Sequence, residues 1–323
     1  MVNATSQTLE YRQESFMQFL WQAIKVARPV HWVKNLSLFA ALIFSGNLLL
    51  ENVFMRSLLG FFSFSFATSA TYIFNDIIDA KEDRLHPTKR NRPLASKKLP
   101  LSIAFLELVV FVLTSLYIAS QMNSLFLFAV VGYLSLQGTY SLWLKNIHII
   151  DILIIATGFI IRVYAGAFAI DVHLSVWFLL CVISVALFLA SGKRRAELNI
   201  LESSGVTRKS LLKYKKELLN SYVTMFGNAA WLSWALFSFF ESPKATLPVW
   251  LFLAELSRTT TVNKLMMITI PVVIFGIMRY EALIFEGRSE APERLLLTDK
   301  ALVASVVLWT GIVVWVLYGG VTV

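Results

Sequence analysis

Nine runs of mainly apolar residues, most of them close to the length that crosses a bilayer, constrain this chain more than any other feature. A spanning helix needs roughly 20 such residues. The runs fall at about 33–50, 57–79, 101–120, 123–143, 147–170, 175–191, 219–240, 264–285 and 301–319. In lipid the backbone must satisfy its own N–H and C=O groups, so each run is expected to be helical. The expected fold is therefore all-α: a polytopic membrane helix bundle of about nine transmembrane helices. Composition agrees, with 57% hydrophobic residues and only 15% charged among 323, against roughly 25% charged in soluble domains. Residues 1–32 read as a cytoplasmic or interfacial N-terminal segment and 33–323 as a single transmembrane bundle.

Three stretches depart from that pattern. Residues 247–256 are apolar but too short to span, so 244–263 is expected to be a partly embedded loop or half-helix. Phe16, Phe19, Leu20, Ala23 and Ile24 recur at helical spacing, which predicts a helix in the membrane interface or a cap packed on the bundle. Residues 1–15 are polar and mixed in charge, without the basic-then-apolar pattern of a signal peptide. Cys181, the lone cysteine, lies in an apolar run and reads as a small buried hydrophobe.

The net charge of +9 could point to nucleic acid. Its distribution argues against that partner, because the basic residues sit in short loops between apolar runs. The loop after the second run holds Lys81, Arg84, Lys89, Arg90, Arg92, Lys97 and Lys98. The stretch after the sixth holds Lys193, Arg194, Arg195, Arg208, Lys209, Lys213, Lys215 and Lys216. The opposite side has Arg56, Lys244, Arg258 and Lys264. The positive-inside rule then puts the N-terminus and the even-numbered loops in the cytoplasm. The two main loops are four runs apart, which hints at a duplicated four-helix unit with both loops over a common cavity.

The chemistry concentrates at the end of the second run. Asn75, Asp76, Asp79 and Asp83 repeat at three and four residues, placing carboxylates along one side of a helix. Acids beside a membrane are costly unless they bind something. Oxygen ligands without His or Cys suit Mg2+, which bridges a few carboxylates to a substrate's phosphates. A capped helix end with salt bridges is the plainer alternative. His86-Pro87-Thr88-Lys89-Arg90-Asn91-Arg92-Pro93 follows, its prolines ending the helix. Lys89 and Arg92 bring phosphate-binding cations close to the acids. His86 reads as a loop hydrogen-bonder.

A second polar motif, Ser191-Gly192-Lys193-Arg194-Arg195-Ala196-Glu197, closes the sixth run with three bases and one acid. Gly192 permits a close backbone approach or a helix break. The bases from Arg208 to Lys216, with Tyr214, are expected on an amphipathic helix along the headgroups. Trp32, Lys34 and Asn35 open the first run, where they either cap the site or anchor at the interface. Asp151 opens the fifth run, and Arg162 lies eleven residues deeper. An arginine there must be paired or face a polar cavity.

The Asn75-Asp76-x-x-Asp79-x-x-x-Asp83 pattern, with Arg92-Pro93-Leu94, resembles the first aspartate-rich motif of the UbiA superfamily of intramembrane prenyltransferases. Three segments are similar to its decaprenyl-phosphate phosphoribosyltransferase branch: Trp32-Val33-Lys34-Asn35, His86-Pro87-Thr88-Lys89-x-x-Arg92-Pro93, and Gly192-Lys193-Arg194-x-Ala196-Glu197-Leu198. The resemblance implies an enzyme that moves 5-phosphoribose from phosphoribosyl pyrophosphate to a polyprenyl phosphate, with Mg2+. It implies metal ligation and catalysis by Asp76, Asp79 and Asp83. Substrate contacts would come from Asn75, Lys89, Arg92, Lys193, Arg194, Glu197, Lys34, Asn35 and Arg162. A second aspartate-rich motif is usual in aromatic prenyltransferases; here its place is basic. The alternatives are prenyl transfer from a prenyl diphosphate to an aromatic acceptor, and a transporter or lipid-binding scaffold. The expected location is the bacterial inner membrane, with the active site cytoplasmic. A homo-oligomer is compatible with the sequence.

Overall fold

The computed structural model describes residues 17–85, 89–204, 214–241, 260–286, 295 and 298–319. Among the described residues there is no strand. Among these residues, eight helices are long and apolar enough to cross a membrane. The named helices are α1 (Phe39–Phe44), α2 (Glu51–Asp83), α3 (Leu101–Ser120), α4 (Ser124–Leu142), α5 (Ile150–Ala169), α6 (Val176–Ser204), α7 (Lys216–Phe240), α8 (Ile270–Phe285) and α9 (Lys300–Tyr318). Residues 242–259 are outside the described set, and with them most of the expected half-helix.

The first apolar run is not one α-helix. A 3-10 helix, Pro29–Leu38, leads into α1, which ends at Phe44, two residues before Gly46 with φ of 79°. Ten residues at the longer 3-10 rise plus six at the α rise reach roughly 29 Å, about the thickness of a hydrocarbon core. Another ten-residue 3-10 helix, Thr260–Thr269, likewise leads into α8.

The chain divides into two compact units. The first comprises Met1–Asn35 and Phe62–Trp143. Its core joins Val26, Ile73, Leu94, Leu99 and Ala104, with Phe19, Ala23, Ile77 and Phe111 against them. Residues 17–27 are helical, and Phe19, Ala23 and Val26 supply their packed face. Met17, Leu20, Trp21 and Ile24 are exposed on the same segment. An apolar outer face of this kind suits the membrane interface. Deeper in the unit, Ser63 and Ser115 exchange hydroxyl-to-carbonyl bonds between α2 and α3, at 2.9 and 2.8 Å. Such pairing satisfies hydroxyls that lipid cannot.

The second unit comprises Leu36–Phe61 and Leu144–Val323. Phe44, Phe178, Phe237 and Trp234 build one aromatic core, with Phe44 and Phe178 ring centroids 5.0 Å apart. Cys181 is buried in it. Gly166 of α5 meets Leu38 so closely that a Cβ there would lie 2.0 Å from the Leu38 carbonyl oxygen. Only glycine lets these two backbones touch.

Candidate active site

The acids of the first motif are helical to the last, because α2 runs for 33 residues, more than a bilayer needs. Its final turns carry Asn75, Asp76, Asp79 and Asp83. All three aspartates are buried. Arg92 Nη1 reaches both Asp83 Oδ2, at 2.6 Å, and Asp76 Oδ1, at 3.1 Å. Asn75 Nδ2 donates to Asp79 Oδ2 at 3.0 Å. One arginine thus ties the two carboxylates that share a face, while Asn75 orients the third.

The loop after α2 delivers Arg92 by packing. Leu94 and Leu99 enter the first unit's core beside Ile73 and Val26. Lys89 opens a short 3-10 turn, Lys89–Asn91, and its carbonyl accepts the Arg92 N–H. The Ser96 hydroxyl donates to the Arg92 carbonyl at 2.8 Å. His86, Pro87 and Thr88 lie outside the described residues.

A residue that the spacing did not single out also meets the acids. Arg28 Nη2 lies 2.5 Å from Asp76 Oδ1. Its guanidinium sits 4.9 Å from the Tyr72 ring centroid, within cation–π range. The sequence clue is the Arg28-Pro29 pair just before Trp32-Val33-Lys34-Asn35. Lys34 Nζ donates to Tyr72 Oη at 3.3 Å, one helical turn before Asp76. Asn35 is fully buried and pairs lower on α2, with Ser65 and Thr68. Ser65 is eleven residues before Asp76, roughly 16 Å along the helix, so Asn35 is not brought to the aspartates.

The second motif belongs to the other unit. Helix α6 continues through Gly192, where a Cβ would lie 2.6 Å from Ile284 Cδ1 and 3.0 Å from Tyr280 Cε1. Its role here is close packing against α8, not a break. Arg194 has no exposed side-chain surface; Nε lies 2.7 Å from Asp151 Oδ2, and Nη1 pairs with Glu197. Arg195 is tied to Asn199 and to Asn220 of α7, and stands over the Phe285 ring. Lys193 and Glu197 are the half-buried members of the motif. Asp151, in the first turn of α5, is thus where Arg194 points.

Tyr214 completes this group. Its hydroxyl donates to Asp151 Oδ1 at 2.6 Å and accepts the Ile149 N–H at 2.8 Å. Burial pushes the Tyr214 hydroxyl above its usual range, and the Asp151 carboxylate adds to the shift. Ile149 has φ of 69°, a strained value for a β-branched residue. Arg162 is buried in α5; Nη1 donates to the Gly158 carbonyl at 2.6 Å, and its guanidinium lies over Phe159. Of the expected headgroup helix, Lys216 opens α7, while Arg208, Lys209 and Lys213 lie outside the described residues.

The first motif fits a divalent cation by its donors. They are all oxygen, and Asp76 Oδ2 is buried with no hydrogen-bond partner among the described residues. An orphaned carboxylate oxygen is costly unless something binds it. Among the described residues no three acids converge on one point. An ion would therefore take fewer carboxylates and complete its shell with water and substrate oxygens, as Mg2+ commonly does.

Comparison with known proteins agrees with this layout. Residues 36–240 match the UbiA prenyltransferase family. The decaprenyl-phosphate phosphoribosyltransferase of Corynebacterium glutamicum is 33% identical over 301 residues, covering 91% of this chain and 86% of that protein. The same-named protein of Mycolicibacterium smegmatis is 33% identical over 293 residues, covering 89% and 90%. A UbiA homologue from Archaeoglobus fulgidus, solved with GPP and Mg2+, superposes with a TM-score of 0.64 over 94% of this chain and 100% of its own. At 17% identity that likeness bears on the fold alone. An Aeropyrum pernix homologue gives 0.60 at 15% identity. With a helical bundle, an acid-bearing helix end and a family match over most of its length, this integral membrane protein belongs to the UbiA prenyltransferase family.

Proposed function

We propose that this chain transfers 5-phosphoribose from phosphoribosyl pyrophosphate to a polyprenyl phosphate. The observation that carries the reading is the similarity to phosphoribosyltransferases across nearly the full length of both chains. It is supported by the second motif, where Lys193, Arg194, Arg195 and Glu197 stand in place of aspartates. A basic motif suits a donor with an extra 5-phosphate and an acceptor that is itself a phosphate. It does not suit holding a second metal on a prenyl diphosphate.

In this reading a phosphate oxygen of the lipid attacks C1 of the ribose, the C1–O bond to pyrophosphate breaks, and pyrophosphate leaves. Carboxylates from the Asp76, Asp79 and Asp83 ladder, fewer than three on any one ion, would hold Mg2+, which when bound neutralises the leaving pyrophosphate. Asn75 keeps Asp79 in a fixed rotamer through the bond described above. Lys89 and Arg92 would bind donor phosphate oxygens and stabilise the charge that develops on them. Lys193 and Glu197 are assigned to the substrate directly, and Arg194 to the same motif through its pairing with Glu197. Lys34 would reach phosphate from beside Tyr72. Asn35 and Arg162 are given supporting roles from their buried positions. The lipid phosphate is already anionic at neutral pH, so positioning dominates over general base catalysis. The polyprenyl tail would lie among the helices, open to lipid. The Lys and Arg distribution supports a cytoplasmic active site and N-terminus at the bacterial inner membrane.

The test is direct. Purified protein with labelled phosphoribosyl pyrophosphate, polyprenyl phosphate and Mg2+ should form a lipid-linked ribose phosphate. Absence of that product, together with turnover of a prenyl diphosphate and an aromatic acid, would reverse the assignment.

A further inference from the structure

We infer that Arg28 is a diphosphate ligand, held on Asp76 until a metal takes that carboxylate. This rests on the metal-dependent diphosphate chemistry proposed above, whichever group the diphosphate carries.

The ion pairs are lopsided. Asp76 Oδ1 receives two guanidinium groups, Arg28 at 2.5 Å and Arg92 at 3.1 Å. Asp76 Oδ2 receives no hydrogen bond among the described residues, although it is buried. Arg92 has a second carboxylate, Asp83, to hold it in place. Among the described residues the carboxylate contact of Arg28 is to Asp76 alone. A divalent cation on Asp76 would stand within a few ångströms of the Arg28 charge, and like charges at that range repel. Arg28 must then turn away, and a guanidinium set free beside a metal site is suited to bidentate contact with phosphate oxygens. Its side chain is 18% exposed, so a path to an incoming anion exists from where it stands.

The backbone is built to present this residue. Arg28 has φ of 51° and directly precedes Pro29. Positive φ is uncommon for a residue with a side chain, and proline restricts its predecessor further. The conformation is held on both sides. The Ser69 hydroxyl donates to the Ala27 carbonyl at 2.7 Å, and Trp32 Nε1 donates to that hydroxyl at 2.9 Å. The His31 N–H donates to the Arg28 carbonyl at 2.9 Å. Strain held in place by its surroundings is a recurrent property of functional positions. The Tyr72 ring gives the guanidinium a surface along which it can swing without losing its cation–π contact.

A permanent tie between the N-terminal segment and α2 is the competing role, and the two differ in sign. In the full-length detergent-solubilised protein, Arg28→Gln should bind Mn2+ alone more tightly than wild type, because a competing cation has gone. It should bind inorganic pyrophosphate in the presence of Mg2+ roughly 10- to 100-fold more weakly. Arg28→Lys, which retains the charge without the fork, should leave Mn2+ affinity near wild type and still weaken pyrophosphate. It also serves if the Gln variant does not fold. Unchanged or weaker Mn2+ binding in Arg28→Gln, or unchanged pyrophosphate binding in either variant, overturns the inference. Wild-type protein that binds pyrophosphate but not phosphoribosyl pyrophosphate would sink the donor assignment, while leaving the Arg28 comparison to be decided by its own two measurements.

Discussion

Arg194 Nε and Asp151 Oδ2 lie 2.7 Å apart, and neither side chain has any exposed surface. A buried pair of this kind is costly to break from one side, because the remaining charge stays in a low-dielectric interior. Asp151→Ala should destabilise the protein by about 3–5 kcal/mol. Unfolding of the detergent-solubilised variant would measure this. Pairing the change with Arg194→Met should recover part of the loss.

Tyr214 serves the same carboxylate and also satisfies the strained Ile149 N–H. Tyr214→Phe leaves both groups without that partner. The expected cost is about 1–3 kcal/mol, read from the same unfolding measurement. A change within experimental error would show that water replaces the hydroxyl there.

Two glycines should respond differently to alanine. At Gly166 the added Cβ would meet a backbone carbonyl at 2.0 Å, which cannot move without shifting a helix. At Gly192 the nearest atom, at 2.6 Å, is the end of the Ile284 side chain. Gly192→Ala should cost about 1–3 kcal/mol, and Gly166→Ala should cost more. Equal thermal stability of the two variants would contradict the packing described here.

The acid-bearing helix end makes a kinetic prediction. Asp76→Asn and Asp79→Asn should each lower phosphoribosyl transfer by about a hundredfold or more, with the helical circular dichroism spectrum unchanged. Asn75→Ala should weaken metal affinity by roughly 10- to 100-fold, because Asn75 orients Asp79. Mn2+ titration separates that effect from loss of donor binding.

A pH dependence follows from Asp299, which caps α9 and pairs with Arg279. The hydrogen bond from Arg279 leads the causes that hold its carboxyl down at about 2, with the Leu302 N–H adding to it. A depressed carboxylate contributes stability above its unfolded value of 3.8 and loses it as pH falls through the folded value. Wild type should therefore lose stability relative to Asp299→Asn between about pH 4 and pH 2, and the difference should be constant above that window. Parallel curves throughout would rule the contribution out.

Much of the architecture was legible before any coordinates. The apolar runs appear as helices because lipid offers the backbone no other partners. The first run is an exception in detail. Its length was readable, but its division into a 3-10 helix and α1 was not. That division accompanies the Leu38–Gly166 contact, which joins residues far apart in the chain. The aspartates were legible because carboxylates at helical spacing beside a membrane are costly unless something binds them. Gly192 was read as either a close approach or a break, and the packing of Tyr280 and Ile284 chose the first.

Residue spacing by itself thus determined that this is a helical membrane protein with carboxylates along one side of the end of α2, since both properties follow from local periodicity. Which cation meets which acid was decided only by tertiary structure. Arg28 is 48 residues from Asp76, and Tyr214 is 63 from Asp151. No helical period relates positions so distant. Their meeting depends on a strained turn at Arg28 and another at Ile149, each held by hydrogen bonds from elsewhere in its own unit, as the pairing of Arg92 with the same acids as Arg28 depends on Leu94 and Leu99 anchoring its loop.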